Sequence, residues 1–205
     1  MPTEIILIRH GLTEWNLKKK YCGNRDIGLH AEGKIQARRI YRRLKGIKLS
    51  KVYSSSAKRA MQTAKIVFRK CRIEKTPELK EMDFGCFEGM THVQIMKKYP
   101  RIYRKWLHNP FCVTVPGGES LTMFRKRVVS VFKRIASKHN NETIAVVSHG
   151  GAISIFIAHI LKSAKDFWKR IPHSASISII EYQKGGSKVK LFSDVSHLGD
   201  TSRTT

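Results

Sequence analysis

Two apolar segments of this chain each run unbroken into a histidine and a glycine. The first is Ile5-Ile6-Leu7-Ile8-Arg9-His10-Gly11; the second is Ile144-Ala145-Val146-Val147-Ser148-His149-Gly150-Gly151. Short, nearly continuous apolar runs of this kind belong to strands buried on both faces of a parallel sheet. Such a strand needs helices above and below it, which restricts the chain to an α/β layered arrangement.

The intervening stretches supply those helices. Residues 31–44 place Ile35, Ala37, Ile40, Tyr41 and Leu44 at helical spacing and leave a basic outer face. Residues 51–54 read as a second strand, 57–68 as a helix with Ala60, Ala64 and Val67 inward, and 72–76 as a weak third strand. A helix is expected over 121–136, with Phe124, Val128, Val131 and Ile135 inward, and a nearly all-apolar one over 152–161. Two runs near the C-terminus, "SISIIEY" and "KVKLF", flank Lys184-Gly185-Gly186-Ser187 and predict a hairpin. The alternation predicts an α/β three-layer sandwich with a mainly parallel central sheet flanked by helices. At 205 residues, a single domain over 1–205 is expected. Residues 82–120, with three of the six prolines and few strand signals, read as a lid or insertion.

Composition excludes several classes. The chain is 41% hydrophobic and 9% aromatic, which suits a globular protein. No apolar run approaches the roughly 18 residues of a membrane span. No signal-peptide pattern precedes the first strand, so a cytoplasmic protein is expected. Cys22, Cys71, Cys86 and Cys112 form no CxxC pair, which argues against a zinc knuckle or a redox motif and fits free thiols in a reducing compartment. Forty Lys and Arg against 15 Asp and Glu give a net charge of +25. Such a surface attracts anions in general. The basic runs lie on helices, without aromatic interleaving or a recognition motif, so specific nucleic-acid binding is not expected.

In an open α/β sheet, ligands bind beyond the carboxyl ends of the strands. If both His-Gly strands are central, His10 and His149 meet at one edge. A third strand ends in Ser54-Ser55-Ser56 and leads into a helix carrying Arg59. Two arginines, two histidines and glycine-freed amides make a pocket for a dianionic phosphoryl group, with a helix N-terminus after Gly150-Gly151 adding positive character.

The blocks "LIRHGLTEWN", "VYSSSAKRAMQTA", "LKEMDFGCFEG", "PGGES" and "VVSHGG", in this order, resemble the histidine phosphatase superfamily, which also contains the cofactor-dependent phosphoglycerate mutases. The resemblance runs from Ile5 to about Leu198 and is nearest to the short phosphatase branch of broad-specificity and alpha-ribazole phosphatases. It implies a phosphoglycerate mutase-like fold and makes His10 the nucleophile. Arg9, Arg59 and His149 would bind the phosphoryl oxygens, and Gly11, Asn16, Gly23 and Gly150 would complete the phosphate shell. Taken singly, Arg59 also reads as a solvated helix arginine and Asn16 as an ordinary turn residue. The general acid falls on Glu81 in the acidic cluster Glu78, Glu81, Asp83 and Glu88, with Glu88 as the rival and Asp83 expected to meet an arginine.

The chain departs from the family pattern in three places. Cys22 stands where a phosphate-touching glutamine is common. His30 replaces a helix-capping hydroxyl, with the expected loss of a cap worth about 1 kcal/mol. Phe87 replaces a usual tryptophan. The nine histidines show no metal-ligand spacing, and Gly117-Gly118 reads as a turn, with Glu119-Ser120 near the lid.

The expectation is a metal-independent and cofactor-independent phosphomonoesterase that hydrolyses a small phosphorylated metabolite through a phosphohistidine. The chain passes quickly from Gly89 to Pro116, which favours hydrolysis over the alternative of a phosphoglycerate mutase. A basic nucleic-acid-binding protein is the alternative of a different class. A second copy of the chain, as in a homodimer, is the one protein partner considered, and no membrane is expected.

Overall fold

In the computed structural model, which describes residues 2–183 and 185–199 (for 164–166 the backbone alone), the first apolar run forms β1 (Thr3–Arg9). Ile5, Ile6, Leu7 and Ile8 are each at most 1% exposed, because both faces of the strand are covered. Side chains alternate across a strand. Ile5 and Leu7 accordingly join one hydrophobic cluster, and Ile6 and Ile8 join another.

The chain continues through α1 (Glu14–Leu17), α2 (Ala31–Arg43), β2 (Lys51–Ser55), α3 (Lys58–Val67) and β3 (Ile73–Thr76). Next come α4 (His92–Lys98), α5 (Pro100–His108), α6 (Leu121–Ser137), β4 (Thr143–Ser148), α7 (Gly150–Ile160), β5 (Ile177–Tyr182) and β6 (Lys188–Asp194). The sheet order is β3-β2-β4-β1-β5-β6. The first four strands pair in parallel, while β5 pairs antiparallel with β1, and β6 antiparallel with β5. This is the mainly parallel α/β sandwich expected from the alternation, closed at one edge by the C-terminal hairpin. Of the residues expected to link that hairpin, Lys184 lies outside the described residues.

Small residues let the helices of one layer approach the sheet: Ala37 of α2 and Ala60 and Ala64 of α3 are fully buried there. The opposite layer is aromatic, with Phe124 and Phe132 of α6 and Phe156 of α7 fully buried. Residues 82–120 are more ordered than their sequence suggests. They hold α4 and α5 and bury Phe87, Ile95, Tyr103 and Trp106 to at most 3% exposure. Each such side chain contributes about 1.5–3 kcal/mol on burial. Four together fix the segment to the core.

Caps explain two helix starts. α2 keeps a cap: His30 Nδ1 accepts the Glu32 N–H at 3.3 Å, so the imidazole supplies what the missing hydroxyl was expected to cost. α3 begins at Ala57 without a side-chain cap of its own, and Asp26 accepts the Lys58 N–H at 2.7 Å from a distant loop. That contact sets the loop after α1 against the start of α3.

Candidate functional site

The register of the sheet brings the two histidines together. β1 and β4 pair in step, Ile8 with Val147 and Arg9 with Ser148, so the residue after each strand lies at the same sheet edge. The His10 N–H donates to the Ser148 carbonyl at 3.0 Å, and the rings of His10 and His149 stand edge to face, 5.2 Å between centroids. The ring of His10 donates from Nδ1 to the Gly11 carbonyl at 2.8 Å. Its Nε2 is therefore unprotonated and accepts from Arg59 Nε at 3.3 Å. Burial pushes the His10 imidazole well below its ordinary value, and the cations Arg59 and Arg9 push the same way. The ring is neutral and carries its lone pair into the site.

His149 is held from the next strand. Its Nε2 shares a hydrogen bond with Ser55 Oγ at 2.7 Å, and Ser55 Oγ also accepts the Ala57 N–H at 3.3 Å. His149 Nδ1 is buried and has no partner among the described residues. Burial lowers His149 well below the ordinary imidazole value, reinforced first by Arg59.

Arg59 sits in the first turn of α3 at 1% exposure. Its Nη1 donates to the Arg25 carbonyl at 2.9 Å, and its Nη2 to the Gly23 and Cys22 carbonyls at 2.8 and 3.5 Å. With Nε on His10, four of its five N–H groups are engaged. Arg9 donates from Nη1 to the Pro172 carbonyl at 2.5 Å, and its Nε is buried without a partner among the described residues. Burial disfavours the Arg9 cation, which the charge of Glu81 offsets. Among the described residues, neither guanidinium has a carboxylate within ion-pair distance. Two enclosed cations without an ion-pair partner beside a neutral imidazole form a site for an anion with two negative charges.

The acidic cluster divides by geometry. Glu81 reaches the start of α7, where Oε2 accepts the Gly151 N–H at 2.8 Å and Oε1 the Met82 N–H at 3.0 Å. Only glycine permits this approach, since a Cβ at Gly151 would lie 2.5 Å from Glu81 Oε1. Burial raises the Glu81 carboxyl above the ordinary carboxylate range, against the two amide hydrogen bonds and the charges of Arg59 and Arg9. Glu88, the rival, places both oxygens on main-chain amides: Asn24 at 2.7 Å, Arg25 at 3.1 Å and Phe84 at 3.3 Å. It ties the loop that Arg59 also grips. Asp83 accepts the Gly85 N–H at 2.9 Å, not an arginine as expected.

The remaining phosphate-shell candidates are engaged elsewhere to differing degrees. The Gly11 N–H donates to Thr63 Oγ1 at 3.1 Å, and Gly23 offers its carbonyl to Arg59. A Cβ on Gly23 would meet the Met82 carbonyl at 2.1 Å, so this glycine serves close packing of the loop on the acid segment. Asn16 Oδ1 accepts the N–H and the hydroxyl of Thr13 in a capping box at α1. Gly150 opens α7 against Arg9, and a Cβ there would lie 3.3 Å from the Arg9 Cζ. Cys22 is half-buried, and burial raises its thiol above its ordinary value.

Sequence reasoning did not assign roles to Ser55, Thr63 or the Pro172 carbonyl. Ser55 and Thr63 lie inside the block "VYSSSAKRAMQTA", each four residues from Arg59, and that proximity was the available signal. Nothing in the sequence marks Pro172.

Residues 5–195 match the sequence profile of the histidine phosphatase superfamily, branch 1. Phosphoglycerate mutase-like protein 4 of Arabidopsis thaliana is 35% identical over 204 residues, covering 97% of this chain and 88% of its own. Phosphoserine phosphatase 1 of Hydrogenobacter thermophilus is 32% identical over 200 residues, covering 96% and 95%. The solved phosphoserine phosphatase of Entamoeba histolytica in complex with 3-phosphoglyceric acid superposes with a TM-score of 0.87 at 30% identity, covering 96% of this chain and 99% of its own. Fold, profile and near full-length similarity agree: the chain belongs to the histidine phosphatase superfamily, branch 1, and is a phosphatase of that group.

Proposed function

We propose that this protein is a metal-independent phosphomonoesterase that hydrolyses a small phosphorylated metabolite through a phosphohistidine on His10. The observation that carries this reading is the unprotonated Nε2 of His10 beside two guanidinium cations that have no ion-pair partner among the described residues. Nε2 attacks phosphorus, the bond to the leaving oxygen breaks, and Glu81 gives its proton to that oxygen. Glu81, now ionised, takes a proton from water; the hydroxide attacks phosphorus, the N–P bond breaks, and His10 regains its lone pair as phosphate leaves. Arg9, Arg59 and His149 stabilise the charge on the transferring group. Residues 82–120 are read as the lid of this site, anchored to the main core through Phe87, Ile95, Tyr103 and Trp106.

Arg9, Arg59 and His149 supply the charge stabilisation that a metal would otherwise provide. Among the described residues, no three His, Cys, Asp or Glu side chains group as a metal site. The test is a panel of phosphoserine, 3-phosphoglycerate, alpha-ribazole phosphate and nucleoside monophosphates, assayed after prolonged EDTA treatment, with phosphate release measured beside isomer formation. Phosphate release unchanged by EDTA is the expected result. Loss on chelation with recovery on one divalent ion overturns metal independence, and isomer formation outpacing phosphate release makes the protein a mutase.

The neutral state of the two imidazoles is checked by NMR titration. A free imidazole is half protonated near pH 6.5. His10 and His149, both lowered by burial, are expected to stay neutral as the pH falls through that value. The native state then binds fewer protons than the unfolded chain, so this part of the stability is complete above about pH 6.5 and declines below it. Protonation of His10 at or above pH 6.5 overturns the assignment of Nε2 as a free nucleophile.

A further inference from the structure

Glu81 lies in a stretch, 80–84, that belongs to no helix or strand, so no ladder of backbone hydrogen bonds fixes it. Arg127, on α6, supplies the missing attachments. Its Nη1 donates to the carbonyls of Glu78 and Lys80 at 2.7 and 3.0 Å, and its Nη2 to the carbonyl of Glu81 at 3.4 Å. Nε and Nη2 also form a two-point pair with Glu119, at 3.0 and 2.7 Å. A guanidinium has five N–H donors in a rigid fork, and all five are matched here. The Glu119 N–H donates to the Asp83 carbonyl at 2.9 Å, so the stretch is fastened to the start of α6 on both sides of Glu81.

We infer that Arg127, braced by Glu119, is a positioning residue that aims the Glu81 carboxyl at the leaving oxygen by gripping the main chain beneath it. The inference rests on the reading of Glu81 as the general acid. A cation paired directly with that carboxyl would favour its ionised form and remove the proton to be donated. Arg127 avoids this by binding carbonyls and neutralising its own charge on Glu119, with the pair only 26% and 16% exposed. Catalytic geometry is sensitive to such support, since a displacement of about 1 Å can cost about 10²-fold in rate.

The experiment measures kcat/KM, which reports phosphoryl transfer to the enzyme, for an alkyl ester (phosphoserine) and for p-nitrophenyl phosphate. The variants are R127K, R127M, E81Q, the double variant R127K/E81Q, and R134Q, which removes an exposed ion pair between α6 and Glu78. R127K is expected to lose about 10- to 10²-fold on phosphoserine and under about threefold on p-nitrophenyl phosphate. The double variant should be no slower on phosphoserine than E81Q, because a residue acting through Glu81 has nothing left to position. R134Q should match the parent. R127K decides the matter if R127M does not fold. Equal losses on both esters, a multiplied loss in the double variant, or the same selective loss in R134Q overturns the inference while leaving Glu81 as the acid. A lack of ester selectivity in E81Q overturns the acid assignment itself, and this inference with it.

Discussion

His10→Ala is expected to lower turnover by about 10⁴-fold or more, the scale on which removal of a covalent nucleophile acts, while binding of phosphate and the fold both survive. The substitution removes a neutral ring, so it leaves no buried charge uncompensated. It does leave the Gly11 carbonyl and Arg59 Nε–H without their partner, each costing about 1–3 kcal/mol when buried. Arg9, Arg59 and His149, the proposed phosphate ligands, remain, so inorganic phosphate should protect both the variant and the parent against thermal unfolding. The decisive readout is acid-labile label from a radioactive phosphomonoester. The parent should trap it, His10→Ala should not, and His149→Ala should retain labelling at a reduced rate. Label in His10→Ala, or more than a few per cent of its activity, would move the nucleophile to another residue.

What the sequence made legible was whatever a short window encodes. The buried strands Ile5–Arg9 and Thr143–Ser148 announce themselves by unbroken apolar runs, and from them follow the layers, the sheet edge and the meeting of His10 with His149. The two helices of residues 82–120 escaped the sequence reading although Ile102, Tyr103 and Trp106 fall at helical spacing in α5, because each is short, 7 and 9 residues, and the prolines of the segment read as breakers; Trp106 meets Tyr21, Phe84, Phe87, Tyr103 and Trp168. The cap on α2 was misjudged because a ring nitrogen can accept an amide N–H as a hydroxyl does. Long-range polar contacts were beyond reach for a different reason, sequence separation. Arg127 meets Glu78 across 49 positions, Arg9 meets Pro172 across 163, and neither side chain carries a local sign of its partner. The identity of Glu81 came through family likeness, and the physical ground for preferring it over Glu88 is visible only in three dimensions, where Glu88 is committed to three loop amides.

That preference yields the second large expected effect. In the proposed cycle, phosphoryl transfer to His10 expels an oxygen whose need for a proton depends on its basicity. An alkoxide leaves poorly without one, whereas p-nitrophenolate leaves as the anion. Glu81→Gln is therefore expected to lower kcat/KM for an alkyl phosphate by about 10²- to 10⁴-fold, the usual contribution of a positioned acid, and to cost far less with p-nitrophenyl phosphate. Steady-state turnover would obscure the contrast, because in the proposed cycle Glu81 also serves as base in the second step, and its loss would slow hydrolysis of the phosphohistidine for every substrate. The same dual role gives a second signature: with p-nitrophenyl phosphate the variant should show a burst of p-nitrophenol followed by a slow phase, as phosphoenzyme accumulates. Glutamine presents one acceptor oxygen in place of two, so either the Gly151 or the Met82 N–H loses its partner; that cost bears on both substrates alike and cannot imitate the selectivity. Glu88→Gln should loosen the loop of Asn24 and Arg25 and slow both esters by similar factors. Selective loss at Glu88, or equal loss on the two esters with no burst at Glu81, would transfer the acid role away from Glu81.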